Sequence, residues 1–356
     1  MSNPEGSELH GSSKDYKSII IDNLKILAKN EVINNQPFKV KAYETVFKQL
    51  EDYPYPITSF SDIEHAKIKG IGKKIEAKIK ELFETGKLSA VRIAKESNPL
   101  ELYDQLLEIY GVGPIKAKEL IEDFSVTSID NLKEVIKLYP NLLTKSSKIG
   151  LEHYYDFKTR IPREEMEIHD MVIHDFIPKK KHVSSSGKSS YFKYEIAGSY
   201  RRGLPTSGDI DVLLAPVNSS KSLHDGAPES ISIFHEYIDE LVEIGYITDI
   251  LSLGPNKCLA VCKIGDTYRR IDFELTSPEE YYYTLLYFTG SKEFNVAMRS
   301  YALKKGWSLN QKGLERINAV GPGPKHITSE QDIFNFLGLK YIDPKDRSTI
   351  DLESIV

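Results

Sequence analysis

The sequence predicts an α+β protein whose front half is entirely helical. Apolar residues recur at helical spacing from Tyr16 to about residue 160, beginning with Ile20 and Leu24. After Pro162, four strand-like runs appear between helical stretches: YFKYEIAGSY, DIDVLLAPV, CLAVCKI and YRRIDFEL. A helical region followed by intermixed strands and helices is typical of an α+β architecture.

The composition excludes several classes of protein. The chain has 356 residues, enough for two or three domains, and its 40% hydrophobic content excludes a chain disordered throughout. No apolar run reaches the roughly 18 residues of a membrane span, and the polar N-terminus has no secretory core. Two cysteines, Cys258 and Cys262, are too few for a disulfide framework and lack zinc spacing, so we expect an intracellular protein.

Charge is distributed unevenly along the chain. Residues 14–95 hold 16 Lys/Arg and 11 Asp/Glu, a net of +5, whereas the whole chain has a net charge of −5. This pattern favours a phosphate-binding face in the first part of the chain and a carboxylate-rich region in the rest. The alternative is a lysine-rich helix surface that only contacts solvent.

Two Gly-x-Gly turns precede amphipathic helices in the front half. They are Gly70-Ile71-Gly72 and Gly111-Val112-Gly113, about 41 residues apart, and each is followed by lysines. Backbone N–H groups at such a turn and at the helix start can bind a phosphate, and glycine permits close approach. We interpret the turns as helix-hairpin-helix motifs that grip duplex DNA; a plain helical corner is the alternative.

A lysine pair follows the first turn. Lys74 and Lys78 are four residues apart and therefore share one helix face. A neighbouring ammonium favours the neutral, nucleophilic form of a lysine, which can form a Schiff base with a sugar aldehyde. Tyr43 could lie nearby, and the alternative is a pair of lysines that contacts phosphate.

Three aspartates give the most specific signal. Asp209 and Asp211 lie in AGSYRRGLPTSGDIDVLL, where strand period places both on one face, and TYRRIDFEL offers Asp272. Convergent carboxylates suit Mg²⁺, and two such ions can clamp a triphosphate for in-line displacement. Ser199 and Arg202, just upstream, offer donors to phosphate. Solvated acids on a surface strand are the alternative.

Together these motifs resemble the family X DNA polymerases, the polymerase beta-like enzymes, over residues 16–347. GSYRRG and SGDIDVLL are similar to the family's nucleotidyltransferase motif, and RRID to its third-carboxylate strand. YFTGS with FNVAMR at 287–299 is similar to its nucleotide-binding segment. IGLEHYYDF, RIPREEM and DPKDR match outside the site.

The resemblance implies roles for individual residues. The three aspartates would bind two Mg²⁺ ions, for which Mn²⁺ can substitute, and Asp272 would help to deprotonate the primer 3′-hydroxyl. The positions implied to bind nucleotide are Ser199, Arg202, Gly208, Arg160, Tyr287, Phe288, Gly290 and Asn295. The positions implied to contact DNA are Gly70, Gly72, Lys74, Lys39, Tyr43, Gly111, Gly113, Arg270 and Arg299.

The resemblance also implies a 5′-deoxyribose-phosphate lyase in the front domain. Lys78 matches the family's Schiff-base lysine, and Lys39, Lys74 and Tyr43 match supporting positions. Backbone carbonyls in the glycine turns would hold a monovalent cation, Na⁺ or K⁺. These carbonyls belong to Ile68, Ile71, Ile109 and Val112.

Five residues depart from the family pattern. Glu274 replaces a basic residue near Asp272, and Lys292 replaces an acidic residue beside the incoming base. Gln311 replaces an acidic residue associated with the closing of the fingers. We therefore expect the balance between the open and closed states of the enzyme to differ from that of the family, and discrimination between incoming nucleotides to be lower. Glu44 and Ala90 replace basic residues at the lyase pocket, which weakens the expected grip on the 5′-phosphate.

We expect five regions along the chain. They are a flexible tail without a further domain at 1–15, a lyase-like domain at 16–96, a DNA-binding subdomain at 97–160, a palm with a mixed sheet at 161–276, and a fingers-like, nucleotide-selecting subdomain at 277–356. Polar loops are expected at 179–190 and 219–230.

The expected function is templated filling of gaps in nicked or gapped duplex DNA from dNTPs, with lyase activity, in base excision repair. We expect a monomer that does not bind membranes, acts beside a DNA ligase or an abasic-site endonuclease, and works in the nucleus or in a viral compartment. The alternatives are a template-independent nucleotidyltransferase on DNA ends and an inactive DNA-binding scaffold. The short LSLGPNK segment at 251–257 argues against the first, and the three aspartates against the second.

Overall fold

The computed structural model describes four stretches of the chain: residues 14–179, 190–217, 228–324 and 326–348. They belong to two compact units, Met1–Pro140 and Asn141–Val356. None of the helices in these stretches has the length and apolar character needed to cross a membrane.

Three of the expected flexible segments fall largely outside the described residues. Of the tail expected at 1–15, only residues 14 and 15 are described. Of the polar loop expected at 179–190, only its two end residues are described. The loop expected at 219–230 is wrong at its end, because residues 228–230 already form the first turn of a helix.

The first unit is all-helical, as predicted. Its helices are α1 (Lys17–Ile33), α2 (Pro37–Asp52), α3 (Phe60–Ala66), α4 (Lys73–Thr85), α5 (Ser89–Ser97), α6 (Leu100–Leu107), α7 (Pro114–Glu122) and α8 (Ile129–Leu138). The predicted apolar positions Ile20 and Leu24 of α1 are buried, as are Val46 and Leu50 of α2, which packs beside α1. Burial of these stripes provides most of the driving force that holds the helices together.

The second unit contains the remaining helices and all the described strands. Its helices are α9 (Lys145–Glu152), α10 (Tyr154–Lys158), α11 (Arg163–Phe176), α12 (Gly198–Arg201), α13 (Pro228–Glu243), α14 (Tyr281–Thr289), α15 (Lys292–Lys304) and α16 (Glu330–Leu337), with a 3₁₀ turn at Pro344–Asp346. Its strands are β1 (Ile161–Pro162), β2 (Phe192–Ile196), β3 (Thr206–Ser207), β4 (Ile210–Pro216), β5 (Ile247–Leu253), β6 (Lys257–Ile264), β7 (Thr267–Leu275), β8 (Trp307–Asn310) and β9 (Gly313–Arg316).

A mixed five-stranded sheet organises this unit. Its strand order is β2-β4-β7-β6-β5, with β4 and β7 parallel and the other pairs antiparallel. Val212 of β4 and Phe273 of β7 belong to a buried cluster with side chains of α11 and α13. Because side chains alternate along a strand, the neighbours Asp211 and Asp272 point to the opposite face. The α+β prediction is confirmed.

The same alternation explains how the C-terminal part packs. Leu213 and Ala215 of β4 lie on the carboxylate face, where they contact Tyr281 and Leu285 of α14. Behind α14, a second apolar cluster is built from α14, α15, the β8–β9 hairpin and α16. The carboxylate face is therefore covered on one side by α14.

Hydrogen bonds and an ion pair hold α10 and α11 against β7. Arg269 of β7 makes a bidentate pair with Glu165 of α11, with N–O distances of 2.7 and 2.9 Å. Arg269 Nη1 also donates to the carbonyl of Thr159, after α10. His169 is buried beside this pair and bonded to the Tyr246 hydroxyl, and burial lowers its pKa to about 4.

Several elements differ from the sequence-based expectation. The segment GSYR, expected to continue a strand, is the short helix α12, because Gly198 takes a φ of +56° and turns the chain. Strand β5 and the β8–β9 hairpin were missed because their apolar alternation is short and irregular. Of the segment expected as a short loop, 251–257, only residues 254–256 connect the strands, because residues 251–253 belong to β5 and residue 257 begins β6.

Candidate active sites

The three predicted aspartates lie together on one face of the five-stranded sheet, near the start of β4. Asp211 and Asp272 are direct neighbours across the parallel β4–β7 pair, and Asp209 immediately precedes β4. Gly198 is packed against Asp211, because a Cβ there would lie 2.5 Å from Asp211 Oδ2. Only glycine fits this position, which brings the α12 backbone against the carboxylate.

Electrostatics within this cluster are unfavourable. Burial, together with the charges of Asp209 and Asp272, raises the pKa of Asp211 to about 8. Burial also raises the pKa of Asp272 to about 6, although Arg270 acts in the opposite direction. Ionising Asp211 at neutral pH therefore requires additional positive charge.

Arg270 provides part of that charge. Its Nη2 lies 2.9 Å from Asp209 Oδ2 and 3.9 Å from Asp272 Oδ2. The sequence assigned Arg270 to a DNA phosphate, but here it contacts the carboxylates. In the described stretches, no three acidic, His or Cys side chains already stand at metal-binding distance. The all-oxygen donor set suits Mg²⁺, provided that Arg270 releases Asp209.

A cleft of about 770 Å³ opens beside the aspartates. It brings together all eight positions expected to bind nucleotide, with Asp209, Asp211 and Arg299. Arg160 is held by Thr206, to which its Nε and Nη2 donate at 2.7 Å. The cleft therefore has basic side chains on one wall and carboxylates at its base.

The other wall of the cleft is the end of α14 and the start of α15. Tyr287 and Phe288 line it, and the chain then turns at Gly290, whose φ is +66°. Asn295 donates from Nδ2 to the carbonyl of Tyr287 at 2.7 Å, so its amide is held across this turn. Lys292, one of the departures, also lines the cleft.

Sequence reasoning missed a pair of charges beneath Phe288. Glu274 follows Asp272 on the same strand face, and burial raises its pKa. Lys257, opposite it in the β6–β7 register, lies 3.7 Å from Glu274 Oε2 and 5.8 Å from the Phe288 ring centroid. This pair is set by the register of the β6–β7 hairpin, which the sequence pattern did not predict. The third departure in this unit, Gln311, lies in the β8–β9 turn, where its carbonyl accepts a bond from Thr284.

A buried ion network supports the cleft from behind. Glu330 accepts from Arg201 at 2.8 Å and from Arg347 at 2.7 Å. Burial raises the pKa of Glu330, but the two arginines outweigh this effect and lower it. The adjacent Arg202 donates to the carbonyl of Thr289 at 2.6 Å. The last residue of the DPKDR segment, Arg347, thus has a structural role in binding Glu330, which the sequence did not reveal.

In the first unit, both glycine turns directly precede helices. Gly70 and Gly111 have positive φ values of +92° and +76°, which only glycine adopts readily. Gly72 and Gly113 are the N-caps of α4 and α7, with no atoms within 4 Å of a Cβ built there. Both turns therefore leave an open helix start, as a phosphate contact requires.

The carbonyls expected to hold a cation lie in these turns. Ile68 and Ile71 flank Gly70, and Ile109 and Val112 flank Gly111. The carbonyl of Ile109 accepts from the N–H of Val112 at 3.0 Å, which leaves it one lone pair.

A cavity of about 470 Å³ collects the four residues expected to form the lyase site. Lys39, Tyr43, Lys74 and Lys78 all line it, and Lys78 Nζ lies 3.5 Å from the Lys74 carbonyl. Of the two departures expected at this pocket, Ala90 lines the cavity. Glu44 is not among its lining residues, because its carboxylate pairs with Lys48 at 3.2 Å. The cavity also contains Glu31 and a cluster of asparagines that the sequence analysis did not single out. These asparagines are Asn30, Asn34 and Asn98.

Comparison with known families gives four consecutive matches. A helix-hairpin-helix domain matches residues 16–88, the fingers domain of DNA polymerase lambda 104–158, the DNA polymerase beta palm 160–278 and the DNA polymerase beta thumb 284–348. The C-terminal part, expected to be fingers-like, therefore corresponds to the region called thumb in these families, and the fingers match lies in the front half.

Curated relatives match most of the chain. DNA polymerase lambda of Rattus norvegicus is 31% identical over 351 residues, covering 94% of this chain and 56% of the relative. DNA polymerase lambda of Arabidopsis thaliana is 26% identical, covering 86% and 57%. DNA polymerase/3′-5′ exonuclease PolX of Bacillus subtilis is 25% identical, covering 90% and 52%. The chain spans just over half the length of these relatives.

Removing Glu330 tests the network behind the cleft. Glu330→Ala leaves the buried guanidinium of Arg347 without a carboxylate partner and removes the shorter of the two ion pairs of Arg201, which keeps Glu195 at 3.3 Å. The free energy of unfolding should therefore fall by about 3–5 kcal/mol. Urea unfolding followed by fluorescence of Trp307, the single tryptophan, measures it. Glu243→Ala, at an exposed position of α13, should change stability by less than about 0.5 kcal/mol. Equal effects of the two variants would contradict a structural role for the network.

Proposed function

The chain belongs to the family X DNA polymerases, and we propose that it is a DNA-directed DNA polymerase that fills short gaps in duplex DNA. The observation that carries this proposal is the convergence of three carboxylates, two of which, Asp209 and Asp211, line a cleft that also has basic side chains on its walls. Nucleotidyl transfer needs this combination, because the triphosphate is anionic and its reaction centre requires metal ions.

We propose that Asp209 and Asp211 hold two Mg²⁺ ions and that Asp272 holds one of them, with Mn²⁺ able to substitute. Bound there, such ions would supply Lewis-acid stabilisation of charge on the phosphoryl group. The raised pKa values of Asp211 and Asp272 support this assignment, because bound cations would relieve the repulsion. Arg270 would exchange Asp209 for a primer phosphate, and Asp272 would accept the proton of the 3′-hydroxyl.

The cleft walls would bind the nucleotide. Arg160, Arg202 and Ser199, beside Gly208, would donate to the triphosphate oxygens. On the facing wall, Tyr287 and Phe288, with the backbone at Gly290, would lie against the deoxyribose and exclude a 2′-hydroxyl, so dNTPs are preferred. Asn295 and Arg299 would reach the minor-groove edges of the incoming base and the template.

The glycine turns would hold the DNA backbone. Gly70 and Gly111 turn the chain with positive φ, and Gly72 and Gly113 leave the starts of α4 and α7 open. Phosphate contacts made there carry no sequence preference. A Na⁺ or K⁺ ion held by the carbonyls of the two turns would bridge to the phosphates.

The limits of the domains, at residues 96, 160 and 276, remain our proposal.

We propose a second activity, a 5′-deoxyribose-phosphate lyase, for the first unit. Lys78 would attack C1′ of the sugar and form a Schiff base, with Lys39, Lys74 and Tyr43 around it in the same cavity. Together with gap filling, this activity fits base excision repair. The protein would act as a monomer in a nucleus or a viral compartment, beside a DNA ligase or an abasic-site endonuclease.

Template-independent addition to DNA ends is the alternative within this fold. A long loop between palm strands would favour it, whereas the β5–β6 connection is only residues 254–256. Templated synthesis is therefore the better-supported proposal. A non-catalytic scaffold is less consistent with a complete set of carboxylates.

Asp272→Asn tests the carboxylate assignment. Primer extension should fall by at least about a hundredfold, because a proton acceptor and a metal ligand are lost together. Binding to gapped DNA, measured by fluorescence anisotropy, should stay close to that of the unchanged protein. Asp266→Asn removes an exposed carboxylate from the same β6–β7 hairpin and should leave extension unchanged. Full extension by Asp272→Asn would remove the metal assignment.

Lys78→Ala tests the lyase assignment. Borohydride should no longer cross-link the protein to DNA that carries a 5′-deoxyribose phosphate, whereas primer extension should continue. Lys80→Ala is the matched control, since Lys80 lies on the same helix but pairs with Glu76 at 2.6 Å. Unchanged cross-linking of Lys78→Ala would assign the nucleophile to another lysine, with Lys74 next.

A further inference from the structure

The cavity around Lys78 contains a carboxylate to which no role has been given. Glu31, near the end of α1, lines the cavity with Lys78, although the two residues are 47 positions apart in sequence. Its side chain is only 13% exposed, and its Oε2 lies 3.1 Å from Lys39 Nζ. Within the stretches that the structure describes, Oε1 makes no hydrogen bond and is free to accept a proton.

A Schiff base alone does not break the DNA strand. The C3′–O3′ bond is cleaved only when a base removes a proton from C2′, which the positively charged imine at C1′ has acidified. A carboxylate within reach of C2′ is suited to this task. The cavity must therefore supply a proton acceptor in addition to the nucleophile.

The other polar groups of the cavity are poor acceptors. Two of them are the lysines Lys39 and Lys74, and the ammonium form of a lysine has no lone pair with which to accept a proton. Tyr43 is nearly buried, and burial, together with the charge of Glu31, raises the pKa of its phenol, which keeps it protonated. The remaining polar lining consists of three asparagines and Ser97, whose amide and hydroxyl groups are not basic.

Two other carboxylates of these helices, Glu81 and Glu44, are not among the residues that line the cavity. Glu81 accepts from the backbone N–H of Ser89 at 2.8 Å, and Glu44 accepts from Lys48 at 3.2 Å. Among the lining residues that the structure describes, Glu31 is the one carboxylate.

We propose that Glu31 is the general base of the elimination step, removing the C2′ proton of the sugar held on Lys78. This proposal rests on the lyase activity proposed above. Lys39 fixes the Glu31 carboxylate through Oε2 and leaves Oε1 to face the sugar.

The step balances as a β-elimination. The C2′–H bond breaks, and its proton goes to Glu31 while its electron pair forms the C2′=C3′ double bond. The C3′–O3′ bond breaks with its electrons going to oxygen, which releases the downstream strand with a 5′-phosphate. Water then hydrolyses the conjugated imine, freeing Lys78 and an unsaturated aldehyde, and Glu31 returns its proton to solvent.

The test separates Schiff-base formation from elimination. The full-length protein reacts in single turnover with DNA that carries a 5′-deoxyribose phosphate at a one-nucleotide gap. Borohydride cross-linking measures the Schiff base, and release of the labelled downstream strand measures elimination. For Glu31→Gln we expect cross-linking close to that of the unchanged protein and elimination slowed by about a hundredfold.

Deuterium at C2′ distinguishes a chemical role from a structural one. If Glu31 takes the proton, deuterium should slow Glu31→Gln more than the unchanged protein, because proton removal then limits the rate. Glu51→Gln is the matched control: it removes a carboxylate that pairs with Lys25 at 2.7 Å in the same unit, and it should eliminate at the unchanged rate.

Two results with Glu31→Gln would overturn the proposal. Elimination at the unchanged rate would show that another group takes the proton. A parallel loss of cross-linking and elimination would show that Glu31 serves Schiff-base formation instead. If the unchanged protein neither cross-links nor eliminates, the lyase assignment itself fails, and Glu31's role fails with it.

Discussion

The parallel pairing of β4 with β7 is the constraint on which the second unit depends. It sets Asp211 beside Asp272 on the sheet face opposite the apolar core, so the core that stabilises the sheet also fixes the carboxylates. Burial and repulsion between the carboxylates raise the pKa of both groups, and the charge of Arg270 offsets this only partly. The negative charge of the site is therefore not fully compensated, and bound cations would stabilise it. Under the proposed function these arrive as metal ions, and Arg270 becomes free to contact phosphate.

The two walls of the cleft come from different parts of the chain and are joined by hydrogen bonds and ion pairs. One wall follows β2 and includes α12, and the other is the junction of α14 and α15. Glu330 joins them from behind, because Arg201 of α12 and Arg347 of the C-terminal segment meet on its carboxylate. Arg202 adds a direct bond from the first wall to the Thr289 carbonyl on the second. The two walls are thus held together both by Arg202, which lines the cleft, and by Glu330, Arg201 and Arg347, which do not.

Local sequence pattern predicted much of this arrangement. The side-chain contacts that it missed have a common physical cause. Strand alternation placed Asp209 and Asp211 on one face, and the glycine turns were correctly set before helices. The sequence did not show that Arg270 contacts Asp209 or that Lys257 pairs with Glu274, because both contacts depend on tertiary strand register, the first between β4 and β7 and the second between β6 and β7. The carboxylate of Glu31 was missed for the same reason, since its cavity forms only when α1, α2, α4 and α5 pack together.

The central claim is that the carboxylate cleft carries out templated synthesis on gapped DNA. The most direct test is single-nucleotide insertion into a one-nucleotide gap with a 5′-phosphate and Mg²⁺, using each dNTP separately, beside an open template and a bare single strand. The account predicts rapid insertion of the complementary nucleotide into the gap and little addition to the single strand. Addition regardless of template would contradict it in favour of an end transferase, and no addition to any substrate would leave a DNA-binding scaffold.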